Sequence, residues 1–267
     1  VIGTLFYYFP NSHKRITKTN LKLVFSSKKE YEINKLTRLS LIESSKNLFE
    51  TSKVWYCSGK QKDHSNKYRI EIEGIPKIKK SLSLNLGLIL FAPHMGNIEI
   101  IINYLARNYI CTIPYTPAKS FLFEDLIFNA RKNMGVSMIK ANQTGVKSLL
   151  SSLKNSEVVA IASDQVPKKN GVTAKFFQIP ALTMTLVPRL AVKTKSPCHS
   201  VCCLRLGKGK GYKIIFGNRI NSLNDCSLKE GLNLMNTELE KCIMKEPEQY
   251  AWEYKRFKHS SIKSPYT

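Results

Sequence analysis

Between residues 31 and 55, Leu36, Leu39, Ile42, Leu48, Phe49 and Trp55 recur at mostly helical spacing, separated by Lys, Glu and Ser, and predict one long amphipathic helix. After a charged break at 59–67, Tyr68-Arg69-Ile70-Glu71-Ile72 alternates with period two, as a half-buried strand does, and Gly74 and Pro76 end it. From residue 88 onward, compact apolar runs at 88–91, 109–113, 136–139 and 158–162 alternate with helical stretches at 97–107, 122–134, 146–154 and 185–194. Runs without polar alternation belong to strands covered on both faces, so the pattern predicts βα units around a parallel sheet. Residues 201–206 and 212–216, joined by Gly207-Lys208-Gly209-Lys210-Gly211, predict an antiparallel hairpin, and a last helix near 227–244 precedes Pro247. The expected fold class is α/β, a single domain with a mainly parallel central sheet flanked by helices and an N-terminal helical appendage.

A chain of 267 residues that is 43% hydrophobic can bury a substantial core, which excludes collagen-like, mucin-like and wholly disordered classes. Charge changes the picture more. There are 42 Lys and Arg against 19 Asp and Glu, a formal net charge of +23, and only nine of the basic residues are Arg. Lysine makes a diffuse field with few forked contacts, which favours an acidic partner: nucleic acid, an anionic membrane face, an acidic protein or a phosphorylated substrate. Seven Cys without a C-x-x-C pair read as reduced thiols in a cytosol-facing protein. The run Cys198-His199-Ser200-Val201-Cys202-Cys203 lies in a strand-like stretch whose neighbouring side chains point to opposite faces, so it reads as strand and no metal site is expected.

No stretch approaches the roughly 20 apolar residues that span a bilayer. The aromatic run at 2–10, followed by His13, Lys14, Arg15 and Lys18, reads either as the end of a membrane anchor or interfacial patch, or as a first helix packed on the core. The chain opens on Val1, which leaves room for an upstream segment.

Ligands of open α/β sheets bind beyond the carboxyl ends of the strands. Two polar segments fall there: Pro93-His94-Met95-Gly96-Asn97-Ile98-Glu99 and Ser163-Asp164-Gln165. Were 94–99 all helical, His94 and Glu99 would point about 140° apart. With His94 in the loop, Gly96 in a tight entry and Glu99 in the first helical turn, the carboxylate can reach the imidazole and form a general-base dyad, while backbone N–H groups at Gly96 and Asn97 face an oxyanion. A loop histidine followed by a capping glutamate has the same spacing.

The segment 93–99 resembles the H-x-x-x-x-D/E motif of glycerolipid-type acyltransferases, in the H-x-G-N-x-E form of the late lipid A acyltransferases. Other segments are similar in the same order: 15–25 around Asn20-Leu21; 124–135 with Arg131; Asp164-Gln165 with Gly171-Val172, Phe176-Phe177 and 180–183; and Pro247-Glu248-Gln249-Tyr250-Ala251-Trp252 with Lys255-Arg256-Phe257-Lys258. Two features depart from the family: Gln178 stands where a Gly usually follows the paired Phe, and the sequence given holds no counterpart of the N-terminal membrane helix.

The resemblance implies transfer of a fatty acyl group from acyl carrier protein to a hydroxyl of a phosphorylated, Kdo-bearing lipid A precursor, at the cytoplasmic face of the bacterial inner membrane. It implies a membrane-proximal segment at 1–60 and a catalytic domain at 61–267. His94 would take the hydroxyl proton and Glu99 would orient it, at the mouth of an apolar tunnel, so that replacing either by Ala abolishes transfer with folding largely intact. Arg131 would contact substrate phosphate or a site carboxylate; Asp164 would hold Arg131 or organise the pocket with Gln165. Arg189, Arg256 and Lys258, with Lys255, would face the acidic carrier or the headgroup, with Trp252, Tyr254 and Phe257 as an interfacial belt or as core. A thioester is already activated, so no cofactor is expected. The rivals are a relative using another glycolipid or amino-lipid acceptor and, from a different class, a basic nucleic-acid-binding module. Against the latter, the sequence lacks zinc spacing, an RNP-like strand and a G-x-x-G loop.

Overall fold

The computed structural model describes residues 2–58, 69–117, 121–260 and 264–266; the break at 59–67, Tyr68 and the expected boundary at 60/61 lie outside them. Three helices come first: α1 (Ile2–Tyr8), α2 (Ser12–Val24) and α3 (Glu30–Ser58). Asn11 caps α2 by accepting the Lys14 N–H at 2.8 Å. α1 packs on α3 at Gly3, where a Cβ would come within 2.5 Å of Ile42 Cα, and leaves Leu5, Tyr8 and Phe9 exposed. Run 2–10 thus holds a packed helix, with Tyr8 and the following Phe9 exposed. No helix among the described residues is long and apolar enough to cross a membrane.

The alternating part follows as β1 (Ile70–Glu73), α4 (Ile75–Leu82), β2 (Leu88–Ala92), α5 (Ile98–Asn108), β3 (Cys111–Tyr115), α6 (Phe121–Met134), β4 (Ser137–Lys140), α7 (Gln143–Lys154) and β5 (Val158–Ala162). Then come β6 (Val172–Phe176), β7 (Ile179–Thr183), α8 (Leu186–Thr194), β8 (Cys198–Arg205), β9 (Tyr212–Arg219) and α9 (Leu228–Ile243). α4 is absent from the hydrophobic pattern because Pro76, read there as a strand terminator, sits in the first helical turn, where its missing N–H costs nothing.

The main sheet runs β1-β9-β8-β2-β5-β3-β4, parallel throughout except for the β8–β9 hairpin. All five residues of β2 are buried, and they divide by period two between two cores. Leu88, Leu90 and Ala92 meet Ile100, Ile101 and Leu105 of α5, whereas Ile89 and Phe91 meet Val187 and Leu190 of α8, α9 and the buried Trp252. His199, from the cysteine-rich run, is buried in β8; its Nδ1 bonds Gly217 O at 3.0 Å and its Nε2 lies 2.7 Å from Ser81 Oγ of α4. Burial holds its pKa below the usual value, so it serves as a neutral tie between sheet and helix.

β6 and β7 form a separate hairpin whose two-residue turn is Phe177-Gln178, at φ +50° and +62°. A turn of that hand needs two left-handed residues, which accounts for the glycine usual at the second position. Phe177 is held there by donating its N–H to Glu240 at 2.7 Å and by packing against Phe25 and Trp252. Gln178→Gly is expected to raise stability by about 1 kcal/mol, read as a higher urea midpoint at unchanged slope. A lowered midpoint would contradict this account of the turn.

Candidate active site

β2 and β5 are adjacent and parallel, with Ala92 beside Ala162, and the Ser163 N–H continues the ladder to Ala92 O at 3.1 Å. Two residues beyond each strand stand His94 and Asp164. The Asp164 carboxylate grips the loop twice, accepting the His94 backbone N–H at 3.0 Å and meeting His94 Nδ1 at 2.6 Å. With Nδ1–H donated to Asp164, Nε2 is left as the basic nitrogen. The chains leaving these strands diverge, β2 into α5 on one face and β5 towards α8 on the other. The crevice of an open sheet forms at such a point.

Burial pushes the His94 pKa down, but the Asp164 charge and hydrogen bond, helped by Glu99 and opposed by Arg131, outweigh it and leave the imidazole above its usual value. Burial pushes Asp164 up, and the His94 partnership outweighs that too, so the carboxyl titrates lower than usual. Tyr250, buried beside the same carboxylate, has its phenol held well above the ordinary range by burial and by the Asp164 charge. This neighbour was missed in the sequence; its position in the closing block 247–252 was the available signal.

The expected His94–Glu99 bond does not form among the described residues. Glu99 lies in the first turn of α5, on the side that meets α6, and there Arg131 takes it with Nη2–Oε1 at 2.6 Å and Nε at 3.2 Å from both oxygens. The pair is deep: the Glu99 side chain is 3% exposed. Asp164 accordingly does not hold Arg131.

The loop between β2 and α5 has one shape available. Gly96 takes φ +56°, and a Cβ on it would stand 1.9 Å from Cys203 O of β8, so any side chain is excluded. Asn97 caps α5, accepting the Glu99 N–H at 3.0 Å. The closing segment zips onto the loop: Gly96 N–H donates to Gln249 O at 2.9 Å and Ala251 N–H to His94 O at 3.0 Å. Gln249 in turn pairs its amide with the Arg205 backbone at 2.7 and 3.0 Å.

Gln165 is half-buried next to Asp164, while Arg189 on α8 and Lys258 are exposed. Arg256 is not at the surface. It is 2% exposed, donates to Leu182 O at 2.6 Å and Thr183 Oγ1 at 2.9 Å, and stacks on Phe176, so it braces β7 and cannot meet a partner. Trp252 and Phe257 are core as well. The molecule has at least two clefts. One of about 430 Å³ is lined by Tyr115, Glu124, Asp125, Phe128, Met138 and Lys140, the other of about 720 Å³ by charged residues of α3 and the β8–β9 turn. Neither of these two is lined by His94, whose side chain is 32% exposed.

The profile of the bacterial lipid A biosynthesis acyltransferase family matches residues 1–259. The chain belongs to that family. This acyltransferase is 24% identical over 262 residues to the lipid A biosynthesis palmitoleoyltransferase of Escherichia coli K12, covering 96% of the chain and 82% of that relative. It is 27% identical over 265 residues to the lauroyltransferase of the same organism, covering 96% and 83%. With a lipid A biosynthesis acyltransferase of Haemophilus influenzae the identity is 23% over 261 residues, covering 96% and 81%.

In the acyltransferase, Glu99→Ala and Arg131→Ala are each expected to cost about 3 kcal/mol, since either strands a buried charge. This replaces the expectation that Glu99→Ala leaves folding intact. A urea double-mutant cycle measures it, and independent, additive losses would count against the pair.

Proposed function

We propose that the chain transfers a fatty acyl group from an acyl carrier protein thioester to a hydroxyl of a phosphorylated, Kdo-bearing lipid A precursor, working at the cytoplasmic face of the inner membrane. The observation that carries this reading is the His94–Asp164 pair at the carboxyl ends of β2 and β5. His94 Nε2 takes the hydroxyl proton as the oxygen attacks the thioester carbonyl; Asp164 orients the ring and stabilises the imidazolium. The new O–acyl bond forms, the C–S bond breaks, and the imidazolium returns the proton to the departing thiolate. The thioester supplies the activation, so the step calls on no cofactor. Glu99 acts through Arg131, whose Nε and Nη2 it occupies, which leaves Nη1 for a phosphate oxygen of the acceptor.

The family and the lipid A biosynthesis named in its relatives support the substrate class, and the charge of +23 suits an acidic carrier and an anionic headgroup. Exposed Arg189 and Lys258 belong to that field. Exposed Leu5, Tyr8 and Phe9 at α1 support peripheral contact with an anionic membrane.

Mass spectrometry of products from carrier-protein thioesters and the phosphorylated precursor is the direct test; acylation of another glycolipid or amino-lipid in its place would overturn the acceptor assignment. His94→Ala and Asp164→Asn are expected to lower kcat/KM by at least about 100-fold. Because His94 must be neutral to act and its pKa is raised, the rate falls on the acid side, and Asp164→Asn, which removes the raising charge, moves that limb to lower pH. Near-normal turnover in either variant would rule the mechanism out. Raising ionic strength to ~0.1 M shortens the screening length to about 10 Å and should raise KM for the carrier protein. A salt-independent KM would argue against electrostatic docking.

A further inference from the structure

The edge of the sheet that carries His94 and Asp164 also bears the smaller cleft, which the proposed chemistry leaves unused. β3 pairs with β5 in parallel, Thr112 beside Val159, so Tyr115 closes β3 at the same edge at which Ala162 closes β5. Lys140 closes β4 beside Tyr115, and Met138 lies two residues before it, so all three share one face of the sheet. α6 packs there and adds Glu124, Asp125 and Phe128, leaving about 430 Å³ among the six side chains. The Tyr115 and Phe128 rings lie 5.9 Å apart between centroids, and the Glu124 carboxylate holds the Tyr115 hydroxyl. Glu124, Phe128 and Arg131 recur at positions i, i+4 and i+7, so the cleft lies on the same side of α6 as the guanidinium bonded to Glu99.

The volume is that of a small-ligand site, and the lining among the described residues selects the ligand. An acyl chain would press against two carboxylates and an ammonium and satisfy none of them. A phosphate is repelled by Glu124 and Asp125, and a metal cation by Lys140. A neutral pyranose suits every group: its hydroxyls donate to the carboxylates and accept from Lys140, and its C–H face packs on Tyr115 and Phe128. We propose that this cleft is a carbohydrate subsite, which seats a neutral, hydroxyl-rich sugar ring of the acceptor about one helical turn from Arg131. The seating of the acceptor rests on the reaction proposed above; the affinity of the cleft for a sugar does not.

The test is NMR of the full chain labelled at its methionine methyl groups, with the Met138 signal among the six methionines assigned by its loss in Met138→Leu. N-acetylglucosamine should shift that signal saturably, whereas inorganic phosphate and octanoate should not. Asp125→Ala and Lys140→Ala, both at exposed positions, should each weaken sugar binding about tenfold and raise KM for the glycolipid acceptor by a similar factor, with KM for the carrier thioester unmoved. A Met138 signal that ignores N-acetylglucosamine, or that follows octanoate or phosphate in its place, overturns the subsite. So do opposite shifts of acceptor KM in the two variants, which a mere field effect on an anionic acceptor would give. Acyl transfer with acceptor KM unchanged in both variants overturns the subsite and leaves the reaction standing, whereas sugar binding at Met138 without transfer to any glycolipid sustains the affinity of the cleft and counts against the reaction.

Discussion

The register of β2 on β5 is the constraint on which the site depends. Parallel strands lie about 4.8 Å apart and advance about 3.3 Å per residue, so Ala92 beside Ala162 brings the second residue beyond each strand within hydrogen-bond reach of the other. A one-residue slip would separate His94 from Asp164 and turn the β2 side chains into the wrong cores. Both cores therefore enforce the geometry of the His94–Asp164 pair, since Leu90 and Phe91 are wholly buried on opposite faces of the sheet.

Around that register the chain braces one loop from several directions. Gly96 lets it pass under the β8 carbonyl at Cys203, and the segment 249–251 pairs with it along the open edge. That segment is tied to the N-terminal helices, because Asn20 of α2 donates to Trp252 O at 2.7 Å and Tyr254 O at 2.8 Å and accepts from Tyr266. On its other side, Gln249 grips Arg205, whose guanidinium is forked onto Glu50 and also bonds Glu43 of α3. The first and last parts of the sequence thus belong to the site's scaffold.

The charges are distributed by the same logic. Arg131, Arg205 and Arg256 turn inward, each with acceptors matched to a planar fork, while the exposed basic field is largely lysine. Guanidinium tolerates desolvation where bidentate partners are ready, and ammonium groups keep their water. A chain of net charge +23 therefore keeps its buried acids individually paired, His94 with Asp164 and Arg131 with Glu99.

Hydrophobic periodicity by itself determined the α/β class, the long α3, the βα alternation, the β8–β9 hairpin and the placing of His94 and Asp164 just beyond strands, because these follow from which faces must leave water. It did not reveal α4, whose proline opens a helix, or the β6–β7 turn, whose Gln178 adopts a glycine's conformation. Only the tertiary structure decided the pairing of acids. Glu99 is five residues from His94 and points to α6, whereas Asp164 is seventy residues away and bonds it. Local spacing sets which residues are near along the chain; strand register and helix packing set which side chains face one another, and those are properties of the whole fold.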